Sequence, residues 1–264
     1  MKKIYPILSL CLLLTIPALL HAQVSLTTPN GSYSQNFDGI TATGTAYPAG
    51  WTGIRFAGSG TVNATLSPLA ITDGNATSGN MYNTGTTSAA DRALGTLASG
   101  TTVPAFGASF VNNTGATIAS FSIAGFSEQW RTGTSSAVNE TVIFEYSTDA
   151  TSLSTGTWTA VTGLNLPEIL TSTTAGAAVD GNNSANRVAI AGTISSINLA
   201  TGGTIWFRWR DADASGSDGI YALDDFTVNY TNSGASTVSV ASGTPAAEAA
   251  VPTAGTFTIT FSSA

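Results

Sequence analysis

The chain has 264 residues, 42% of them apolar and only 9% charged, and 8 basic residues against 15 acidic ones give a formal charge of −7 at pH 7. An acidic chain so poor in lysine and arginine lacks the electrostatic footprint that binds nucleic acid or anionic lipid. Its apolar content and five tryptophans are enough to bury a core, which excludes a chain that stays disordered.

The first predicted element is a secretory signal over residues 1–22. Met1, Lys2 and Lys3 make a positive start, residues 4–20 are almost wholly apolar, and Ala22 is the small residue before the expected cut, with Gln23 as the new N-terminus. The run contains Pro6 and Pro17 and is shorter than the ~20 residues that span a bilayer, so it reads as an export signal and not as an anchor. No membrane span is expected after cleavage. Lys2, Lys3, Cys11 and His21 are the only lysines, cysteine and histidine of the chain, so the expected mature form has none of these types and a charge of −9. It then has no Ser-His-Asp triad, no Cys-His pair, no lysine Schiff base, no His-ligated zinc and no disulfide. Carboxylates, hydroxyls, amides, tyrosines and six arginines remain to carry function, and neutral sugars or metal cations are the fitting partners.

From residue 23 to 232 no segment keeps a helical period. Short alternating runs recur between Gly, Asn, Ser and Pro clusters: residues 120–123 (SFSI), 141–147 (TVIFEYS), 204–210 (TIWFRWR) and 225–230 (DFTVNY). Many short strands with turn signals predict two packed antiparallel sheets, an all-β sandwich. A boundary follows at residues 232–236 (NSGAS). Residues 237–264 carry two further strand-like runs, TVSV and TFTITF, separated by Ala/Pro-rich text. Two strands do not bury a face alone, so this tail reads as the start of a second β-sandwich in a polypeptide expected to continue.

Two resemblances accompany this reading. Residues 34–38 (SQNFD) with 48–51 (PAGW), 91–95 (DRALG), 128–131 (EQWR) and 222–228 (ALDDFTV) are similar to the opening, middle and end of jelly-roll modules, of the concanavalin/MAM kind, in large secreted bacterial surface proteins. The resemblance implies a jelly roll over 23–232 and leaves activity open, because such modules accompany many partners. The tail at 237–264 resembles the start of Calx-β and related Ig-like repeats, a family known to bind calcium.

Three groups of residues carry candidate chemistry. The first is the acidic stretch 211–225, DADASGSDGIYALDD, which holds five of the ten aspartates. Asp211, Asp213, Ser215 and Gly216 match the first half of an EF-hand loop. Ala222 stands where the bidentate Glu would be, so the expectation is a calcium site of the sandwich, with Asp211, Asp213, Ser215, Asp218, Asp224 and Asp225 as ligands. The alternative is a solvated turn with Arg208 and Arg210 as counter-charges. Asp38 and Asp73 are more distant candidates.

The second group is Glu128, Trp130 and Glu145. If their strands are neighbours, Glu128 and Glu145 pair across strands with Arg208 and Arg210. The competing reading is a glycosidase carboxylate pair. Jelly-roll retaining glycosidases carry E-x-D-x-x-E on one strand, and that spacing is absent here. The third group is aromatic: sugars stack on exposed rings while nearby polar groups bond their hydroxyls. Trp51, Trp130 and Tyr82, with Glu128 as polar partner, are the expected ligand-binding residues, and Trp158 and Trp206 are further candidates. For each of these tryptophans the competing reading is core or sheet packing, which five tryptophans in one sandwich also fit, and Trp209 reads as core. The sequence thus predicts a non-catalytic extracellular adhesive or ligand-binding module, calcium-stabilised and glycan-binding. The alternative is an accessory domain of a secreted hydrolase whose catalytic part lies elsewhere.

Overall fold

A computed structural model describes residues 22–134, 140–171 and 174–234. The predicted signal, up to residue 21, and the Calx-β-like segment 237–264 lie outside the described residues. The strands are β1 (Val24–Leu26), β2 (Ser32–Gln35), β3 (Trp51–Ala57), β4 (Ala70–Thr72), β5 (Asn80–Thr84), β6 (Ala93–Leu97) and β7 (Val103–Asn112). They continue with β8 (Ile118–Arg131), β9 (Thr141–Ser147), β10 (Thr159–Ala160), β11 (Leu166–Pro167), β12 (Arg187–Ile194), β13 (Thr204–Arg210) and β14 (Ile220–Asn232). The first sheet runs β1-β7-β13-β9-β10, with β3 also on β7 and β11 on β9; the second runs β12-β8-β14-β6-β5-β4, with β2 also on β14. This is the all-β jelly-roll sandwich expected from the sequence. Pairing is antiparallel except at β1–β7 and β4–β5.

The alternation in the strands puts one face of each sheet inward. On β13, Ile205, Phe207 and Trp209 enter the core while Trp206, Arg208 and Arg210 take the other face, as the pattern TIWFRWR implies. From the second sheet, Phe121, Ile123, Leu223, Phe226 and Val228 meet them, with the Phe121 ring edge-on to Phe207 at 5.7 Å. Each such fully buried side chain contributes about 1.5–3 kcal/mol relative to exposure.

The predicted strand at 225–230 is longer than its pattern shows, and a bulge explains the difference. On β14, Asp224 pairs with Phe126 and Thr227 with Ala124, so β14 carries one residue more than β8 between these points. Asp225 absorbs the extra residue with φ 47°, a left-handed conformation that Asp tolerates better than most residues. Without it, Asp225 would occupy the core position that Phe226 fills.

β8 and β14 also change character along their length. Residues 118–125 of β8 and 226–231 of β14 show one buried and one open face, whereas 127–130 and 220–224 are buried on both. The cover on that second face comes from loops. Val179 N–H donates to the Trp130 carbonyl, Thr132 N–H to that of Ala177, and Arg131 bridges Ala178. Beneath them lies a second apolar cluster of Tyr82, Ala93, Leu97, Trp130, Ile220 and Ala222. Glycines permit the close approach: a Cβ on Gly181 would sit 2.3 Å from Trp130 Nε1, and one on Gly74, at φ 99°, would sit 2.1 Å from the Trp130 carbonyl oxygen.

Candidate functional site

The expected sugar-stacking residues are corrected by this packing. Trp130 is 0% exposed under the loops, and its indole N–H donates to Glu128 Oε2 at 3.0 Å. Trp51 lies between the sheets, stacked on Trp209 and edge-on to Phe37 and Phe226, with its N–H on Tyr33 Oη. Tyr82 is buried and donates to the Ser78 carbonyl. None of the three offers a ring face to solvent, and Glu128, also 0% exposed, has no open carboxylate. Trp206 and Trp209 are buried too, so Trp158 is the one tryptophan that stays half-buried.

Trp158 belongs to the outer face of the first sheet. The Arg208 guanidinium lies over its ring at 3.7 Å and 5.1 Å from the Phe56 ring, and Arg210 stands 5.5 Å from the same Phe56. Glu145 Oε2 holds both arginines, at 2.8 Å from Arg208 Nη2 and 3.3 Å from Arg210 Nε. Arg208 Nη1 also donates to the Leu153 carbonyl at 2.6 Å. The sequence-based pairing of Glu145 with Arg208 and Arg210 is therefore present. Phe56, Glu145 and Arg210 remain half-buried, so rings and charged groups share a rigid, partly open surface. Phe56 was missed in the sequence because it sits at the irregular end of β3, where the register with β7 shifts.

Glu128 is on the other sheet, and its cation is Arg187, which opens β12 opposite Glu128. Arg187 approaches Glu128 at 3.6 Å, Asp224 at 3.7 Å and Asp225 at 3.1 Å, and lies 4.0 Å over the Phe126 ring. One guanidinium thus serves three carboxyl groups, two of them buried, and Glu128 Oε1 and Asp224 Oδ1 accept no hydrogen bond. Burial pushes Glu128 up to about 7, against the Trp130 hydrogen bond and the Arg187 charge. It pushes Asp224 up to about 8, and the neighbouring Glu128 adds to the effect. With Glu128 and Glu145 on different sheets, the glycosidase carboxylate pair of the sequence reading is not assembled.

The six expected calcium ligands are likewise divided. Asp211, Asp213, Ser215 and Asp218 stay in the loop that precedes β14, while Asp224 and Asp225 lie in the strand beside Arg187. Asp211 bonds Thr96, which pairs with Tyr221, so at about 3.3 Å per strand residue Asp224 is roughly 10 Å further along, too far to share one ion with Asp211. Asp211 itself is buried, with Oδ2 accepting from Thr96 Oγ1 and Oδ1 from Ala212 N–H, each at 2.8 Å. Of the distant candidates, Asp38 accepts from Arg92 N–H and Asn36, and Asp73 accepts from Asn75. Among the described residues no group of three or more His, Cys, Asp or Glu side chains could hold a metal ion by itself.

Asp213 and Asp218 do line a cleft of about 380 Å³ at this end of the sandwich, together with Ser99, Gly100, Arg131 and Ser217. Behind it stand two carboxylates without a sequence signal, Glu140 and Glu168. Glu168 Oε2 accepts from Glu140 N–H at 3.1 Å, and Glu140 Oε2 accepts from Gly219 N–H at 2.8 Å and Tyr221 Oη–H at 2.9 Å. Burial raises both carboxyls above the ordinary range.

No family model matches the chain, and no curated protein matches it. Among solved structures, the chain is similar to the CBM22-1 xylan-binding domain of Paenibacillus barcinonensis Xyn10C, at 11% identity and a TM-score of 0.38, over 79% of this chain and 100% of that one. It is similar to the K3 cleaved adhesin domain of Lys-gingipain from Porphyromonas gingivalis, at 11% identity and a TM-score of 0.38, over 75% and 98%. It is also similar to TmCBM61, solved with β-1,4-galactotriose, at 10% identity and a TM-score of 0.29, over 52% and 70%. At these identities and scores no residue role carries over.

Proposed function

We propose that this protein is a non-catalytic, extracellular ligand-binding module and that its ligand is a neutral glycan, taken on the outer face of the first sheet. The supporting observation is the half-buried Trp158 ring, held by Arg208 at 3.7 Å with Phe56, Arg210 and Glu145 beside it. A pre-oriented ring supplies stacking area at little entropic cost, and the fixed Arg and Glu groups supply hydrogen bonds to hydroxyls. The export signal expected at residues 1–22 supports an extracellular setting, and no helix among the described residues is long and apolar enough to cross a membrane.

The test is affinity electrophoresis against a panel of soluble neutral polysaccharides, with wild type and Trp158→Ala. Retardation by at least one polysaccharide, weakened tenfold or more by Trp158→Ala, is expected; tenfold corresponds to about 1.4 kcal/mol. Retardation that survives the substitution would move the site elsewhere, and absence of retardation across the panel would remove the glycan.

A further inference from the structure

Cleavage after Ala22 would make Gln23 the first residue and remove Lys2 and Lys3, so the α-amine of Gln23 would be the only primary amine of the chain. β1 starts one residue later: Val24, Ser25 and Leu26 pair with Phe110, Val111 and Asn112 of β7. Leu26 is 2% exposed in the core, and its carbonyl accepts from Asn113 N–H at 2.8 Å. Ser25 Oγ accepts from Asn113 Nδ2 at 2.7 Å. The strand is thus fixed from Val24 onward, while Gln23 stands exposed ahead of the pairing.

Of the chain's three glutamines, two are held by the fold. Gln129 is buried and its Oε1 accepts from Ile169 N–H and Leu170 N–H, and Gln35 Oε1 accepts from Phe37 N–H. Gln23 makes a single surface contact, from Nε2 to Thr204 Oγ1 at 3.3 Å. An exposed hydrogen bond of that length exchanges readily with water. The Gln23 carboxamide is therefore free to turn back onto its own backbone nitrogen.

We propose that Gln23 is a modification site: once the signal is cut, its α-amine closes on its own side chain to give an N-terminal pyroglutamate. The neutral amine attacks Cδ. The N–Cδ bond forms, the Cδ–Nε2 bond breaks, one amine proton passes to the leaving nitrogen, and ammonia departs. The product is a five-membered lactam, and the step consumes no oxidant, metal or second substrate. An α-amine titrates at about 7.7–8.0, so at neutral pH a useful share of this one is unprotonated and nucleophilic. The contact to Thr204 is lost, because Nε2 is the atom that leaves. Closure removes the terminal positive charge and leaves the mature chain with no primary amine, its six arginines being the only cations. It also seals β1 against aminopeptidases, a short way ahead of the core residue Leu26. The modification depends on the export signal expected at residues 1–22 and is independent of the glycan reading.

The test is mass spectrometry of the secreted protein, expressed as the full chain with its own residues 1–22 in an exporting bacterial host and cut with trypsin. The N-terminal peptide ends at Arg55, the first basic residue after the signal. It should begin at Gln23 and be lighter than its sequence by one ammonia. Fragment ions must place the loss at residue 23, since Asn30-Gly31 in the same peptide can also lose ammonia by closing a succinimide. An amine-reactive ester should label the denatured protein nowhere, whereas Gln23→Ala should take up one label at its terminus. A chain that begins at Gln23 with full mass and one label overturns the proposal, and so does a loss placed at Asn30 alone. A chain that begins elsewhere, or keeps residues 1–22, overturns it through the export signal. Residues 23–264 released from a fusion in vitro and held at pH 8 over several days then show whether ring closure itself also fails.

Discussion

Glu128 and Asp224 share one arginine, and each leaves an oxygen without a hydrogen bond, so the fold should hold their protons more tightly than the unfolded chain does. Asp224 is pushed from 3.8 to about 8 and Glu128 from 4.5 to about 7. Because the folded-state values are raised, the stabilisation is complete below about pH 4 and is lost as pH rises through 7 to 8. A tenfold change in proton affinity is worth 1.36 kcal/mol. The two carboxyls interact and titrate together, so the loss between pH 5 and pH 8 is on the order of 3–5 kcal/mol. For a domain of this size that lowers the midpoint by roughly 6–15 °C. The double variant Glu128→Gln, Asp224→Asn keeps the shape and an acceptor for the Trp130 N–H while removing both titrations. It should melt above wild type at pH 8 and show a distinctly smaller fall with pH than wild type does. Asp211 and Asp218, each also raised to about 7, supply the remainder. Scanning calorimetry in chelator from pH 5 to 9 checks this. A wild-type midpoint that is flat or rises over that range, or a double variant that tracks wild type, would refute the reasoning. No histidine among the described residues confuses the window, since the chain's only one is His21.

The opposite sign is expected for Glu145→Gln. Arg208, 5% exposed, would lose its carboxylate and keep a buried charge, at a cost of about 2–4 kcal/mol by denaturant unfolding at every pH from 5 to 8. Gly74→Ala should cost about 3 kcal/mol or more, since it meets both a left-handed φ and the Trp130 carbonyl; the readout is the urea midpoint together with a red shift of tryptophan emission as the loops lift from Trp130.

Strand period and composition alone carried the sandwich. The alternation in TIWFRWR separates Ile205, Phe207 and Trp209 from Trp206, Arg208 and Arg210, and the structure keeps that division because a strand's faces follow from backbone geometry two residues at a time. The pairing of Glu145 with Arg208 and Arg210 was legible for the same reason, once the two strands are neighbours. Contact between segments far apart in the chain was not legible. Trp130 and Glu128 share one strand face and were candidates for a ligand, yet residues 176–181, about fifty positions later, cover that face. The acidic stretch 211–225 read as one site because its aspartates are close in sequence. An extended strand separates residues quickly, so the start of β14 at Ile220 carries Asp224 and Asp225 away to Arg187 and leaves Asp211, Asp213 and Asp218 behind. Glu140 had no pattern around it at all. Its partners are Glu168, Gly219 and Tyr221, which only tertiary packing brings to one place. Local periodicity decided which side of a strand each residue takes, while burial and charge partners were decided by tertiary structure, since both depend on neighbours distant in the chain.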